Sequence, residues 1–214
     1  MGKAALVVMM KYPRPGAVKT RLVPPLTSEE AASLYRCFLK DTFGRITPLK
    51  GIDPFAAYTQ ASEEEVRALV PEGISIFEQA GGGLGERMSD AFMRLFSAGY
   101  NRVSMIGSDT PDLPIAFISG SILALDGSDV VFGPAMDGGY YLIALKGPAG
   151  CLFSDIIWGS SSVLDDSIAR ARQASLKCAL LDTWHDIDRA EDLKYLKDNP
   201  EAPSSAGFLR ELEL

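Results

Sequence analysis

Histidine is almost missing from this chain: His185 is the only one among 214 residues. Cysteine is nearly as scarce, with Cys37, Cys151 and Cys178 far apart and no C-x-x-C pair. So sparse a set excludes a disulfide framework and a cysteine–histidine zinc site. It suits a reducing compartment, and a cytoplasmic location is expected. Lysine and arginine form no block, and the net charge is −7. That excludes the clustered cations by which proteins neutralise nucleic-acid phosphates. No apolar run approaches the length of a membrane span. The stretch from Ala4 to Met10 runs straight into Lys11 with no small-residue cleavage site, so it reads as a first buried strand rather than a signal peptide.

What is present is an ordinary globular composition, of a length that predicts one well-buried domain over residues 1–214. Short apolar runs near 4–10, 54–58, 74–77, 103–106, 130–132, 140–145 and 177–181 read as strands. Helical patterns fall between them. Thr27 with Glu30 and Ser62 with Glu65 form capping boxes that open two of these helices. Further helices are expected near 84–98, 114–125, 162–174 and 190–196, followed by a loosely held tail over 198–214. Strands alternating with helices predict an α/β fold with a mostly parallel sheet covered on both faces. Ligands bind such sheets beyond the C-terminal ends of the strands, so the loops that follow strands carry the chemistry.

Four such loops stand out. KYPRPGAVKTRL, residues 11–22, is kept out of helix by its prolines and offers Lys11, Arg14, Lys19 and Arg21 to a phosphorylated ligand. It lacks the P-loop spacing. QAGGGLGERM, residues 79–88, places glycines at a helix N-terminus, where backbone can approach an anion. Its spacing does not satisfy G-x-G-x-x-G, which argues against a dinucleotide site. GSDTPDLP, residues 107–114, sets Asp109 directly after a buried strand. Asp109 and Asp112 are hard oxygen ligands suited to Mg²⁺ or Mn²⁺ carrying a diphosphate, although Asp112 also reads as the turn leading into the next helix. GPAMDGGYYLIAL, residues 133–145, has the Asp-Gly of a hairpin. Pro134 ends its first strand, which leaves Asp137, Gly138 and Gly139 in a longer turn. Later in the chain, Trp158 either stacks on a sugar face or packs in the core. His185, beside Asp186 and Asp188, is either structural or part of a metal shell.

These segments, together with IIWGSSSVL and DIDRAEDL, occur in an order that resembles a bacterial family of nucleotide-diphospho-sugar transferase-like proteins. It is also called the DUF2064, or radical-SAM/selenodomain-associated transferase, family. The resemblance runs from about residue 5 to residue 195. It extends to the wider GT-A glycosyltransferase superfamily, which includes phospholactate and molybdenum-cofactor guanylyltransferases. The resemblance implies a three-layer α/β/α sandwich with one antiparallel strand. It also implies that Lys19 and Arg21 hold donor phosphates, and that Gly83, Gly85 and Arg87 lie near the nucleotide base. Asp109 takes the place of the metal-binding aspartate, and Gly138, Gly139, Tyr140 and Trp158 face the transferred group or acceptor. SDTPD departs from the D-x-D of many glycosyltransferases, so the second metal ligand is sought at Asp188 or His185.

The resulting expectation is a transferase dependent on Mg²⁺ or Mn²⁺ that moves a sugar from a nucleotide-sugar to a small-molecule acceptor. Asp109 holds the metal, and Asp137 binds an acceptor hydroxyl and serves as its base. A nucleotidyltransferase that releases pyrophosphate from a nucleoside triphosphate needs the same loops. A nucleotide-binding module without catalysis is the third possibility. The sequence does not determine the oligomeric state.

Overall fold

The computed structural model describes residues 2–213. Among these residues seven strands form one sheet: β1 (Ala4–Lys11), β2 (Ile52–Thr59), β3 (Ser75–Glu78), β4 (Arg102–Ile106), β5 (Val130–Pro134), β6 (Tyr140–Leu145) and β7 (Cys178–Leu180). Their order is β3-β2-β1-β4-β6-β5-β7. All neighbouring pairs are parallel except β4–β6 and β5–β6. The single antiparallel strand is therefore β6, as the resemblance implied. Its antiparallel course follows from the Asp137–Gly139 turn, which sends the chain straight back beside β5.

The described residues form six helices around the sheet: α1 (Ser28–Ile46), α2 (Glu63–Arg67), α3 (Leu84–Ser97), α4 (Ile115–Ala124), α5 (Val163–Gln173) and α6 (Pro203–Glu211). Side chains alternate across a strand, so β1 feeds two cores. Leu6 and Val8 join Leu34, Phe38, Ile118 and Leu209 on one face. Ala5 and Val7 join Met88, Phe92, Leu95 and Ala171 on the other. A strand buried on both faces needs an unbroken apolar run, and Ala4 to Val8 is one. Both capping boxes form: the hydroxyls of Thr27 and Ser62 accept from Glu30 N and Glu65 N, and each glutamate accepts from its cap's backbone N–H.

From β1 the chain builds outward through β2 and β3, then crosses back to lay β4 on the other side of β1. The strand order reverses between β1 and β4, so a crevice opens beyond their C-terminal ends. The loops 11–22 and 107–113 face each other across it. No helix among the described residues is long and apolar enough to cross a membrane.

The expectation of a loose tail is corrected. α6 packs on α1, with Ala202 and Ser205 fully buried and Ala206 and Leu209 nearly so. Asp41, on α1, accepts from Ser204 N at 2.9 Å, Ser205 N at 2.8 Å and the Ser205 hydroxyl at 2.7 Å, which satisfies the N–H groups that a helix start leaves without partners. Small residues made this segment look weak in sequence, but they allow the close approach to α1. The helix expected at 190–196 is a 3-10 turn, Ala190–Tyr195.

Candidate functional site

The crevice at the β1/β4 switch is a cleft of about 500 Å³. It brings together Lys19, Arg21, Arg87, Asp109, Asp137, Gly139, Tyr140, Trp158 and Asp188 from the candidates above.

Lys19 precedes the 3-10 turn Thr20–Leu22 with a left-handed backbone at φ 48. That conformation is uncommon for a side chain of this length and turns it inward beneath the loop. Its ammonium is almost fully enclosed, with 3% side-chain exposure, and pairs with Asp109 Oδ1 at 2.5 Å and Asp188 Oδ1 at 2.9 Å. It also donates to the Ile187 carbonyl at 2.6 Å and lies over the Phe38 ring. Burial opposes the charge, but the two aspartates outweigh it, and the Lys19 pKa is raised above the ordinary lysine value. Arg21 lies further out, 67% exposed, with a guanidinium nitrogen 3.7 Å from Asp188 Oδ2. Its reach into solvent leaves its guanidinium open to an incoming anion. Arg21→Ala should therefore weaken binding of a nucleoside di- or triphosphate roughly tenfold and leave the bare nucleoside almost unaffected, by calorimetry. Equal losses for both would mean that the arginine acts through packing.

The acids gather around the Lys19 ammonium. In the extended segment 186–188, Ile187 is fully buried, so Asp186 and Asp188 share the other side of the chain and face the cleft. Ile187 N donates to the Asp109 carbonyl at 2.9 Å, which ties this segment to the loop after β4. Burial, then Asp109, Asp137 and Asp188 nearby, push the Asp186 carboxyl up to about 7, against a smaller opposing effect of Lys19. In the sequence Asp186 stands out only with Asp188, as a pair of carboxylates beside His185 that could complete a metal shell. Asp186-Ile187-Asp188 has the D-x-D spacing that SDTPD lacks, with a fully buried residue between two partly buried carboxylates. Tyr35 was missed as well. Its hydroxyl is 2.5 Å from Ser108 Oγ and accepts from Lys11 N, so α1 braces both facing loops.

The remaining candidates either lie beside the cleft or shape its rim. His185 is corrected from metal ligand to structural residue. Its Nε2 lies 2.9 Å from Asp112 Oδ2, and its ring is stacked between Trp184 and Tyr195. Asp112 is 2% exposed and also accepts from Asn199 Nδ2 and Trp184 Nε1, so it is the turn residue and not a ligand. Arg14 pairs with Glu65 at 2.8 Å. Gly83 precedes α3 without lining the cleft. Gly85 lets α3 pass under Trp158, since a Cβ there would lie 2.8 Å from the indole nitrogen and 2.5 Å from the Phe153 carbonyl oxygen. Arg87 donates to the Gly81 and Gly82 carbonyls, each at 3.2 Å, and so folds the glycine loop against the cleft. Gly138, at φ +91, leaves no room for a side chain against the Ser161 backbone. It locks the turn that presents Asp137, whose Oδ1 accepts from Gly139 N at 2.9 Å.

Asp109 and Asp188 offer hard carboxylate oxygens, which fit Mg²⁺ or Mn²⁺. Among the described residues no three His, Cys, Asp or Glu side chains converge on one point. A cation here would therefore take its remaining ligands from water and from a bound phosphate. That is how Mg²⁺ is commonly held.

A family model described as "Uncharacterized protein conserved in bacteria (DUF2064)" matches residues 42–160. A Desulfovibrio desulfuricans G20 protein, provisionally described as a nucleotide-diphospho-sugar transferase, has a solved structure that superposes with a TM-score of 0.92. It is 33% identical, and the match covers 100% of this chain and 96% of that one. The 2-phospho-L-lactate guanylyltransferase of Methanothermobacter thermautotrophicus (strain Delta H) is 26% identical over 197 residues, 91% of this chain and 85% of the relative. Rv0371C of Mycobacterium tuberculosis H37Rv, solved in complex with manganese, shares the fold at a TM-score of 0.51 and 13% identity, over 91% of this chain and 97% of that one.

Proposed function

Because the chain belongs to the DUF2064 family and is a transferase, we propose that it transfers a nucleotidyl group from a nucleoside triphosphate to an oxygen of a small-molecule acceptor. The observation that carries this reading is the arrangement of cations by depth. Lys19 is fixed on the acids at the cleft floor, and Arg21 stands outward from it. Such a row matches a polyphosphate that enters with its α-phosphate deep and its terminal phosphates toward solvent. The 26% identity to a guanylyltransferase over 91% of the chain supports the same assignment.

In the reaction the acceptor oxygen attacks the α-phosphorus. The bond from that phosphorus to the bridging oxygen breaks, and pyrophosphate departs. Lys19 would place its ammonium against the α-phosphate oxygens, where charge develops, and Arg21 would hold the departing pyrophosphate. A divalent cation on Asp109 and Asp188 would neutralise the phosphate charge, as manganese bound to the fold neighbour Rv0371C also suggests. Asp137, held by Gly139 through one oxygen, keeps the other free to take the acceptor's proton. Tyr140 and Trp158, edge to face at 6.4 Å, give the acceptor an apolar wall.

Sugar transfer from a nucleotide-sugar is the second reading, favoured by the 33% identity to the Desulfovibrio protein. Phosphorus NMR separates the two. With Mg²⁺ and each donor class in turn, slow transfer to water should release pyrophosphate from a nucleoside triphosphate. Nucleoside diphosphate released from a nucleotide-sugar, with triphosphates untouched, would replace the first reading with the second.

A further inference from the structure

Three oxygens enclose the Lys19 ammonium: Asp109 Oδ1 at 2.5 Å, the Ile187 carbonyl at 2.6 Å and Asp188 Oδ1 at 2.9 Å. Two carboxylates and a carbonyl are also a hard-oxygen set that a divalent cation accepts. An ammonium and a divalent cation cannot share one such nest, because like charges at contact distance repel strongly. The carboxylates are 45% and 39% exposed while the lysine is 3% exposed, so the acids open to the cleft and the ammonium lies behind them.

We infer that Lys19 is the resident counter-ion of the Asp109–Asp188 pair, and that a divalent cation enters only as a bound polyphosphate draws the ammonium away. The inference rests on reading these aspartates as the metal carboxylates. It makes metal and donor enter together. In the metal-free pair the ammonium already occupies Asp109 Oδ1 and Asp188 Oδ1, and Arg21 adds positive charge beside Asp188, so a lone cation gains little there. A phosphate gives the ammonium a new anion, and it supplies the cation with the ligands that the protein lacks. The same lysine thus serves the resting site as its counter-ion and the loaded site as a phosphate contact.

The test is Mn²⁺ binding, read from the free-ion electron paramagnetic resonance signal, in the full-length protein without nucleotide. Lys19→Met and Lys19→Gln, with folding checked by circular dichroism, should bind Mn²⁺ about tenfold or more tightly than the parent. Arg21→Ala removes a charge from the same cleft without clearing the nest. It should gain about twofold at most, because its guanidinium is screened by solvent. Adding a non-hydrolysable nucleoside triphosphate should raise the parent's Mn²⁺ affinity and close the gap to Lys19→Met. Tight stoichiometric Mn²⁺ binding by the parent alone would overturn the inference, whatever the variants do. So would equal affinity in parent and Lys19 variants, or equal gains in Lys19→Met and Arg21→Ala. An absence of Mn²⁺ binding in every form, with and without the analogue, would instead remove the metal from the proposed function, and this exchange with it.

Discussion

Replacing Lys19 with alanine should lower kcat for nucleotidyl transfer by about 10²–10³-fold, with a smaller rise in the donor KM. The ammonium lies at the cleft floor beside Asp109 and Asp188, so a bound donor draws it only a short way before it meets the phosphate oxygens where charge develops. A contact strengthened in the transition state shows in kcat; one equally strong in the bound donor shows in KM. Arginine should not restore the rate, because a nest built around a point charge with 3% exposure has no room for a planar fork. Steady-state pyrophosphate release measures both parameters. The same class of variant is expected to bind free Mn²⁺ better than the parent. Tighter metal binding together with lost turnover would separate a displaced counter-ion from a damaged fold. A kcat within about threefold of the parent would remove Lys19 from the chemistry.

Ending the chain at residue 200 should cost about 4 kcal/mol or more. It removes the buried Leu209 side chain and leaves Asp41, 4% exposed, without the donors of α6. For a protein of this size that corresponds to a fall in melting temperature of roughly 8–16 °C. The ion pair of half-buried Arg45 with exposed Glu201 is lost as well and adds less than those two losses. Leu209→Ala in the full chain should move the midpoint the same way, by about 2–4 kcal/mol. A truncated chain that melts with the parent would restore the view of residues 198–214 as a loose tail. The helix is remote from the cleft, so the surviving folded fraction should keep its donor affinity.

Elements governed by short-range rules were legible in advance. Ala4 to Val8 is buried on both faces, and an uninterrupted apolar run has no other comfortable place in an α/β chain. Both capping boxes form because donor and acceptor sit three residues apart, within one helical turn. The turn at Asp137 follows from Pro134 and two glycines in the same way, and it is what reverses β6. With strand and helix alternation settled locally, the sheet class followed, and so did the edge at which the ligand loops gather.

Partnerships across the chain were not legible. A sequence shows that Lys19 and Arg21 are cations two residues apart. It does not show that one is buried on Asp109 and Asp188 while the other faces solvent, because that depends on loops brought together by the β1/β4 switch. His185 beside two aspartates reads as a metal shell until the fold pairs it with Asp112 and stacks it on Tyr195. α6 reads as weak until Asp41, on α1, accepts its first N–H groups. The sequence alone determined the strands, most of the helices, the sheet class and the edge at which the candidate loops gather, since those rest on periodicity and caps within a few residues. The tertiary structure alone decided which charges meet and which are enclosed, since electrostatic pairing and burial are set by distance in space and not along the chain.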